Sequence, residues 1–184
     1  SEDNKEEQEI CDNFDSTDSD EASVNLIEIE EDVYQDDLSD DGYGFIPYQQ
    51  VNLSDYSHLR DYQVIKQVIE IEQPIHFEEL CRRVAPLFGN LKVTSKVRVG
   101  VEYQFRWFLA ETIERKGDFI TIKNFDQLEV RVPNKDDGYI RPIAYISDDE
   151  LSKAMSRIAK RSYGITPEDL FVTTAREFGY KRTG

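Results

Sequence analysis

The chain has 184 residues, enough for one or two small domains with their own cores, and its 39% hydrophobic and 33% charged residues fit a globular body with a polar appendage. It lacks both the roughly 20-residue apolar run of a membrane-spanning helix and the basic-then-apolar start of a signal peptide, so a reducing, cytoplasmic setting without membrane contact is expected. The formal net charge of −16 is lopsided: residues 1–56 hold 19 Asp/Glu and only Lys5, or −18, leaving 19 acids and 21 bases, or +2, in residues 57–184.

The first segment, residues 1–56, therefore reads as an acidic arm. Ser1 to Ala22 has too few apolar groups to offset the entropy of ordering and reads as coil. Val24 to Val33, with Leu26, Ile27 and Ile29 among acids, reads either as an acidic linker or as a short strand able to add to a sheet edge. Gly42 to Pro47 looks like the connector into the folded body. A calcium loop beginning at Asp37 fails because its twelfth position is Tyr48 rather than Glu.

Residues 57–142 read as helix, helix, helix, hairpin. Tyr62, Ile65, Val68 and Ile69 share one helical face, closed by Pro74. A second helix spans Phe77 to about Val84, ended by Pro86 and Gly89-Asn90. A third runs from an N-cap at Thr94 or Ser95 to about Ile113, with Val97, Val101, Phe105, Phe108 and Leu109 on its core face. Gly117-Asp118 then opens a hairpin of two alternating segments, Ile120 and Ile122, then Leu128, Val130 and Val132, joined near Asn124 to Gln127. The expected fold class is α+β, mainly helical: a winged-helix-like three-helix unit with a β-hairpin, followed by a partial second copy.

The second copy comes from an internal repeat at an offset of 90 residues. Ile65, Val68 and Ile69 match Met155, Ile158 and Ala159. Ile75, Glu78, Leu80, Ala85, Phe88 and Gly89 match Ile165, Glu168, Leu170, Ala175, Phe178 and Gly179. After one extra residue in the first copy, Lys92 and Thr94 match Lys181 and Thr183. Helix starts in residues 143–184 are marked by a Ser147-Asp148-Asp149-Glu150 capping box and by Thr166-Pro167-Glu168-Asp169. The third helix of this copy would begin at Gly184. A half-unit of this kind implies a piece of a longer protein, or a core completed against the first unit or another chain.

Two phrases carry a family resemblance: Ile71-Glu72-Gln73-Pro74-Ile75-His76-Phe77-Glu78-Glu79-Leu80 and Glu177-Phe178-Gly179-Tyr180-Lys181-Arg182-Thr183-Gly184. Across roughly residues 58–184 the chain resembles an uncharacterised bacterial domain family found at the C-terminal end of large proteins with superfamily I helicase motors and restriction-endonuclease-like nuclease domains. In the first copy the turn reads Phe88-Gly89-Asn90-Leu91-Lys92-Val93-Thr94-Ser95, which departs from the Arg-Thr-Gly form. The resemblance implies a setting in DNA repair or defence, with helicase and nuclease domains of the parent protein as partners. It supplies no catalytic residues.

Candidate chemistry is sparse in the sequence. No Gly-rich phosphate loop with Lys-Ser/Thr is present, so no nucleotide or other cofactor is expected. The two histidines, His58 and His76, lack a triad or metal spacing, and His76 suits a capping or packing role. Cys11 and Cys81 form neither a zinc spacing nor a disulfide framework. The arm supplies many carboxylates but no rigid frame for a metal. The outer face of the third helix is the informative element. Lys96, Val99, Tyr103, Arg106 and Trp107 lie opposite its core face, where cations meet phosphates and aromatic rings stack on bases, anchor a protein partner, or, for Tyr103 and Trp107, pack on the acidic arm, the connector or the second unit. Lys116, Lys123 and Arg131, together with Arg115 and Arg141, give the hairpin side a basic edge, and Lys181 and Arg182 open the missing helix. With a net charge of only +2, the body is expected to bind DNA as an auxiliary contact, or alternatively to bind a protein without touching DNA.

Overall fold

Apolar residues spaced by three and four in residues 61–72 build the first helix, and the computed structural model, which describes residues 44–136 and 138–181, shows what that helix packs against. The elements in chain order are strand β1 (Phe45–Pro47), helix α1 (Asp61–Glu72), strand β2 (Ile75–His76) and helices α2 (Phe77–Val84) and α3 (Ser95–Gln104). A π-helical turn (Phe105–Leu109) follows, then strands β3 (Ile113–Lys116), β4 (Phe119–Ile122) and β5 (Val130–Val132), and helices α4 (Asp148–Arg161) and α5 (Pro167–Glu177). The architecture is α+β and mainly helical. All described residues lie in one compact unit spanning Leu38–Gly184.

Local chemistry explains most helix ends. The Thr94 hydroxyl accepts the Val97 N–H at 3.4 Å and His76 Nδ1 accepts the Glu78 N–H at 3.1 Å, each replacing a missing intrahelical acceptor. Ser147 accepts from Glu150 N at 3.2 Å, and Thr166, followed by Pro167, accepts from Asp169 N at 3.2 Å. Only half of the Ser147 capping box forms, because the Glu150 carboxylate turns inward to two arginines.

The three helices α1 to α3 surround a core of Ile65, Val68, Ile69, Leu80, Val84, Val97, Val101 and Leu109, into which β4 inserts Ile120. The small sheet beside it has the order β2-β4-β3, both pairings antiparallel. A second cluster, Val130, Ile146, Ala154 and Phe178, lies where α4 and α5 pack near β5. Some positions matched by the repeat behave alike and others do not: Val68 and Ile158 are both buried, and Gly89 and Gly179 follow helical segments with left-handed backbone at φ of 69° and 87°, whereas Leu80 is buried and Leu170 only half-buried.

Two expectations about strands are corrected. The hairpin is not formed by the segments around Ile120 and Val130; it joins β3 and β4, with Gly117-Asp118 as its two-residue turn and Lys116 paired with Phe119. Gly117, at φ 61°, supplies the positive φ that such a tight turn requires. Ile113 accordingly begins a strand and does not end a helix. Val130–Val132 instead pairs in parallel with β1, Phe45 against Val130 and Pro47 against Val132. The segment read as a connector is thus a sheet strand, while the strand proposed for residues 24–33 lies outside the described residues.

Candidate functional site

The outer face of α3 and its π-helical extension stands free of the core. Lys96, Val99, Tyr103, Arg106 and Trp107 are all exposed, Trp107 by 64%, on an element whose other side carries the buried Val97, Val101, Phe105 and Leu109. α3 is held in place from below: Arg98 donates twice to Glu78 of α2, at 2.6 and 2.8 Å, and the Phe88 ring lies where a Cβ on Gly100 would stand 2.5 Å from it. The Arg98 contact keeps the Glu78 carboxyl below its usual range.

Phe108 was expected in the core and is not there; it is 49% exposed. A π turn takes more residues per turn than an α-helix, so across it the buried position advances by four, from 105 to 109, and position 108 is rotated outward. Its ring stacks on Tyr62 of α1 at 4.9 Å and 12°. Tyr103 sits 6.2 Å from Phe108 and 6.3 Å from Trp107. Four aromatic rings therefore form one continuous row, with the Arg106 guanidinium 5.6 Å from the Trp107 ring at its end. Sequence reasoning had Tyr103 and Trp107 and missed Tyr62 and Phe108. A shallow open cleft of about 370 Å³ lies beside the row, lined by Arg60, Asp61, Tyr62, Tyr103, Gln104 and Phe108.

The cations divide into two groups. Lys96 and Arg106 make no ion pair among the described residues. On the hairpin side Arg115 pairs with Glu102 at 2.8 Å, Lys116 with Asp149 at 2.9 Å and Lys123 with Glu111 at 3.3 Å. Lys181 is exposed, and Arg182 lies outside the described residues.

Arg131 and Arg141 are not part of a basic edge. Both are buried and converge on Glu150, which is fully buried, in contacts of 2.7 to 3.3 Å. Arg131 also donates to the Glu72 and Pro74 carbonyls at 2.6 and 3.1 Å. The Glu72 carboxylate accepts from Tyr48 Oη at 2.7 Å, Val51 N at 2.9 Å and Arg83 Nε at 3.1 Å. Alternation along β5 places Arg131 on the face opposite Val130, and that face is covered too, by the end of α1, Pro74 and Glu150, so both sides of the strand are interior. Burial pushes the Glu150 carboxyl up, but the hydrogen bonds from Arg141 and the charge of Arg131 outweigh it and hold the group below its ordinary range. Burial and the neighbouring Glu72 push the Tyr48 hydroxyl upward.

Cys81 and His76 are engaged in the fold, while His58 is exposed. Cys81 is buried and its thiol is pushed up to about 12 by burial, which disfavours thiolate chemistry. His76 caps α2 and stacks on Tyr145 at 4.5 Å; burial draws its pKa down despite Asp118 at 4.0 Å. No three His, Cys, Asp or Glu side chains among the described residues are grouped to hold a metal. No helix among them is long and apolar enough to cross a membrane.

With this geometry in place, comparison with known proteins gives one family. The model of a family described as a protein of unknown function (DUF3320) matches residues 62–99, from the first turn of α1 into the first half of α3. Over that stretch the chain is similar to an uncharacterised domain family. Neither a curated protein nor a solved structure matches it.

Proposed function

We propose that this chain is a non-catalytic nucleic-acid-binding module, serving as an accessory contact in a larger helicase- or nuclease-type DNA-processing protein. The observation that carries this reading is the outer face of α3. An unbroken aromatic row is flanked there by Lys96 and Arg106, cations that no described acid neutralises. The order helix, strand, helix, helix, hairpin, with β4 central between β2 and β3, supports a winged-helix reading in which α3 is the element offered to nucleic acid. A non-catalytic role is supported by the fate of Glu72 and Glu150, which are bound up in a closed arginine network. Association with helicase and nuclease domains rests on the resemblance of the two sequence phrases.

A protein interface is the second reading. It is favoured by the neutralised hairpin cations and by a face made of Val, Tyr, Trp and Arg, residue types that anchor protein contacts. The deciding measurement is binding of labelled DNA across a salt series by the parent chain and by Lys96→Ala/Arg106→Ala. Nucleic-acid binding requires weaker affinity and a salt slope flatter by up to about two units in the double variant. Undetectable DNA binding by the parent chain, with a parent-protein complex that Trp107→Ala disrupts, assigns the face to a protein partner.

A further inference from the structure

The cleft beside the aromatic row differs in kind from the rest of the face. Its walls come from two elements, the first turn of α1 (Arg60, Asp61, Tyr62) and the end of α3 with its π turn (Tyr103, Gln104, Phe108), and the π turn is what swings Phe108 out to meet Tyr62. A duplex groove mode would draw on the hairpin cations to grip phosphates on both strands, and those cations are already paired with Glu102, Asp149 and Glu111. Stacking on aromatic rings adds binding beyond the phosphate contacts, since every base offers a π face. Asp61 inside the cleft repels phosphate while accepting hydrogen bonds from an exocyclic amino group. Gln104 beside it offers the donor and acceptor pair that suits an adenine edge. Arg60 and Arg106 stand by for the backbone.

We propose that the cleft between the first turn of α1 and the π turn after α3 is a subsite for one unpaired nucleobase of a single-stranded nucleic acid, preferring a base with an exocyclic amino group. The stack formed by Tyr62 and Phe108 is extended by that base, Asp61 and Gln104 read its edge, and Trp107 at the other end of the row takes a second base. The subsite rests on the nucleic-acid reading above and sharpens it from nucleic acid in general to strands with unpaired bases.

The test uses the whole 184-residue chain. Short oligonucleotides of adenine, cytosine and thymine, as DNA and as RNA with uracil, and a blunt duplex are titrated by anisotropy; a strand carrying one 2-aminopurine reports stacking. Expected are tighter binding of adenine and cytosine strands than of thymine, uracil or duplex, and quenching of the 2-aminopurine. Phe108→Ala should weaken single-strand binding about tenfold. Gln104→Ala, at a partly exposed helix end, should reduce the preference for adenine, with Asp61 still present, while leaving the melting temperature unchanged, which guards against a folding defect. If Trp107→Ala or Lys96→Ala/Arg106→Ala weakens binding but Phe108→Ala and Gln104→Ala change neither affinity nor preference, the subsite is overturned and the α3 face stands. If no strand or duplex binds, the subsite and the nucleic-acid reading fall together.

Discussion

The Arg131 guanidinium donates to Glu150 at 2.7 Å in the interior, and the Arg131 backbone N–H donates to the same carboxylate at 2.8 Å. Arg141 meets it from a second direction, at 2.7 and 3.0 Å. One carboxylate thus compensates two buried guanidiniums, and through the contact of Arg131 with the Glu72 carbonyl it ties α4 to the end of α1. Glu150→Gln leaves both arginines without their counter-charge and should cost about 3–5 kcal/mol in a urea titration. An unchanged midpoint would refute the assignment of this network as the joint between α4 and the end of α1.

The same carboxylate predicts the acid response. Its folded-state pKa is depressed, so its contribution is fully present above the ordinary glutamate range and is lost as pH falls through the lower folded value. Melting temperature should drop across that acid window in the parent chain. In Glu150→Gln that part of the drop should disappear, and parallel curves would contradict the prediction.

Gly100 permits the Phe88 ring to lie against α3. A methyl group there would stand 2.5 Å from the ring, so Gly100→Ala should destabilise the fold by about 1–3 kcal/mol despite the better helix propensity of alanine. Thermal melting decides the sign: a stabilised variant would mean that Phe88 has free room to move.

Trp107 is the opposite case. Its side chain is mostly exposed, so Trp107→Ala should leave stability within about 0.5 kcal/mol while weakening ligand binding. Paired melting and binding titrations separate the two effects. A large loss of stability would show that the ring serves packing.

Residues 1–43 carry 18 acids and one lysine, and we propose that this charge competes with phosphate for Lys96 and Arg106. Deleting them should tighten DNA binding, most at low salt, where charges are least screened. Equal affinities with and without the segment would remove the arm from any phosphate-mimicking role.

Helix positions and caps were legible because they are local: Thr94, Ser147 and Thr166 signal their own starts, and the 3.6-residue spacing of Ile65, Val68 and Ile69 gives a buried face. The outer residues of α3 followed from the same periodicity, which failed at Phe108 because one π turn changes the residues per turn. Strand partners were not legible. Val130 and Val132 alternate equally well for a hairpin or for pairing with β1, and only tertiary packing decides between them. Arg131 and Arg141 are drawn inside by the buried Glu150, a tertiary contact that local pattern does not encode, so the basic edge read from sequence loses both residues.

The pairing of Phe45 with Val130 has a temporal consequence. These strands are separated by about 85 residues, a loop whose closure costs entropy before any contact rewards it. The three-helix core between them is built from nearer neighbours. As the chain leaves the ribosome, β1 emerges ahead of β5 and must wait for it. Assembly then runs from the middle outward, with β1 made before the core yet paired after it.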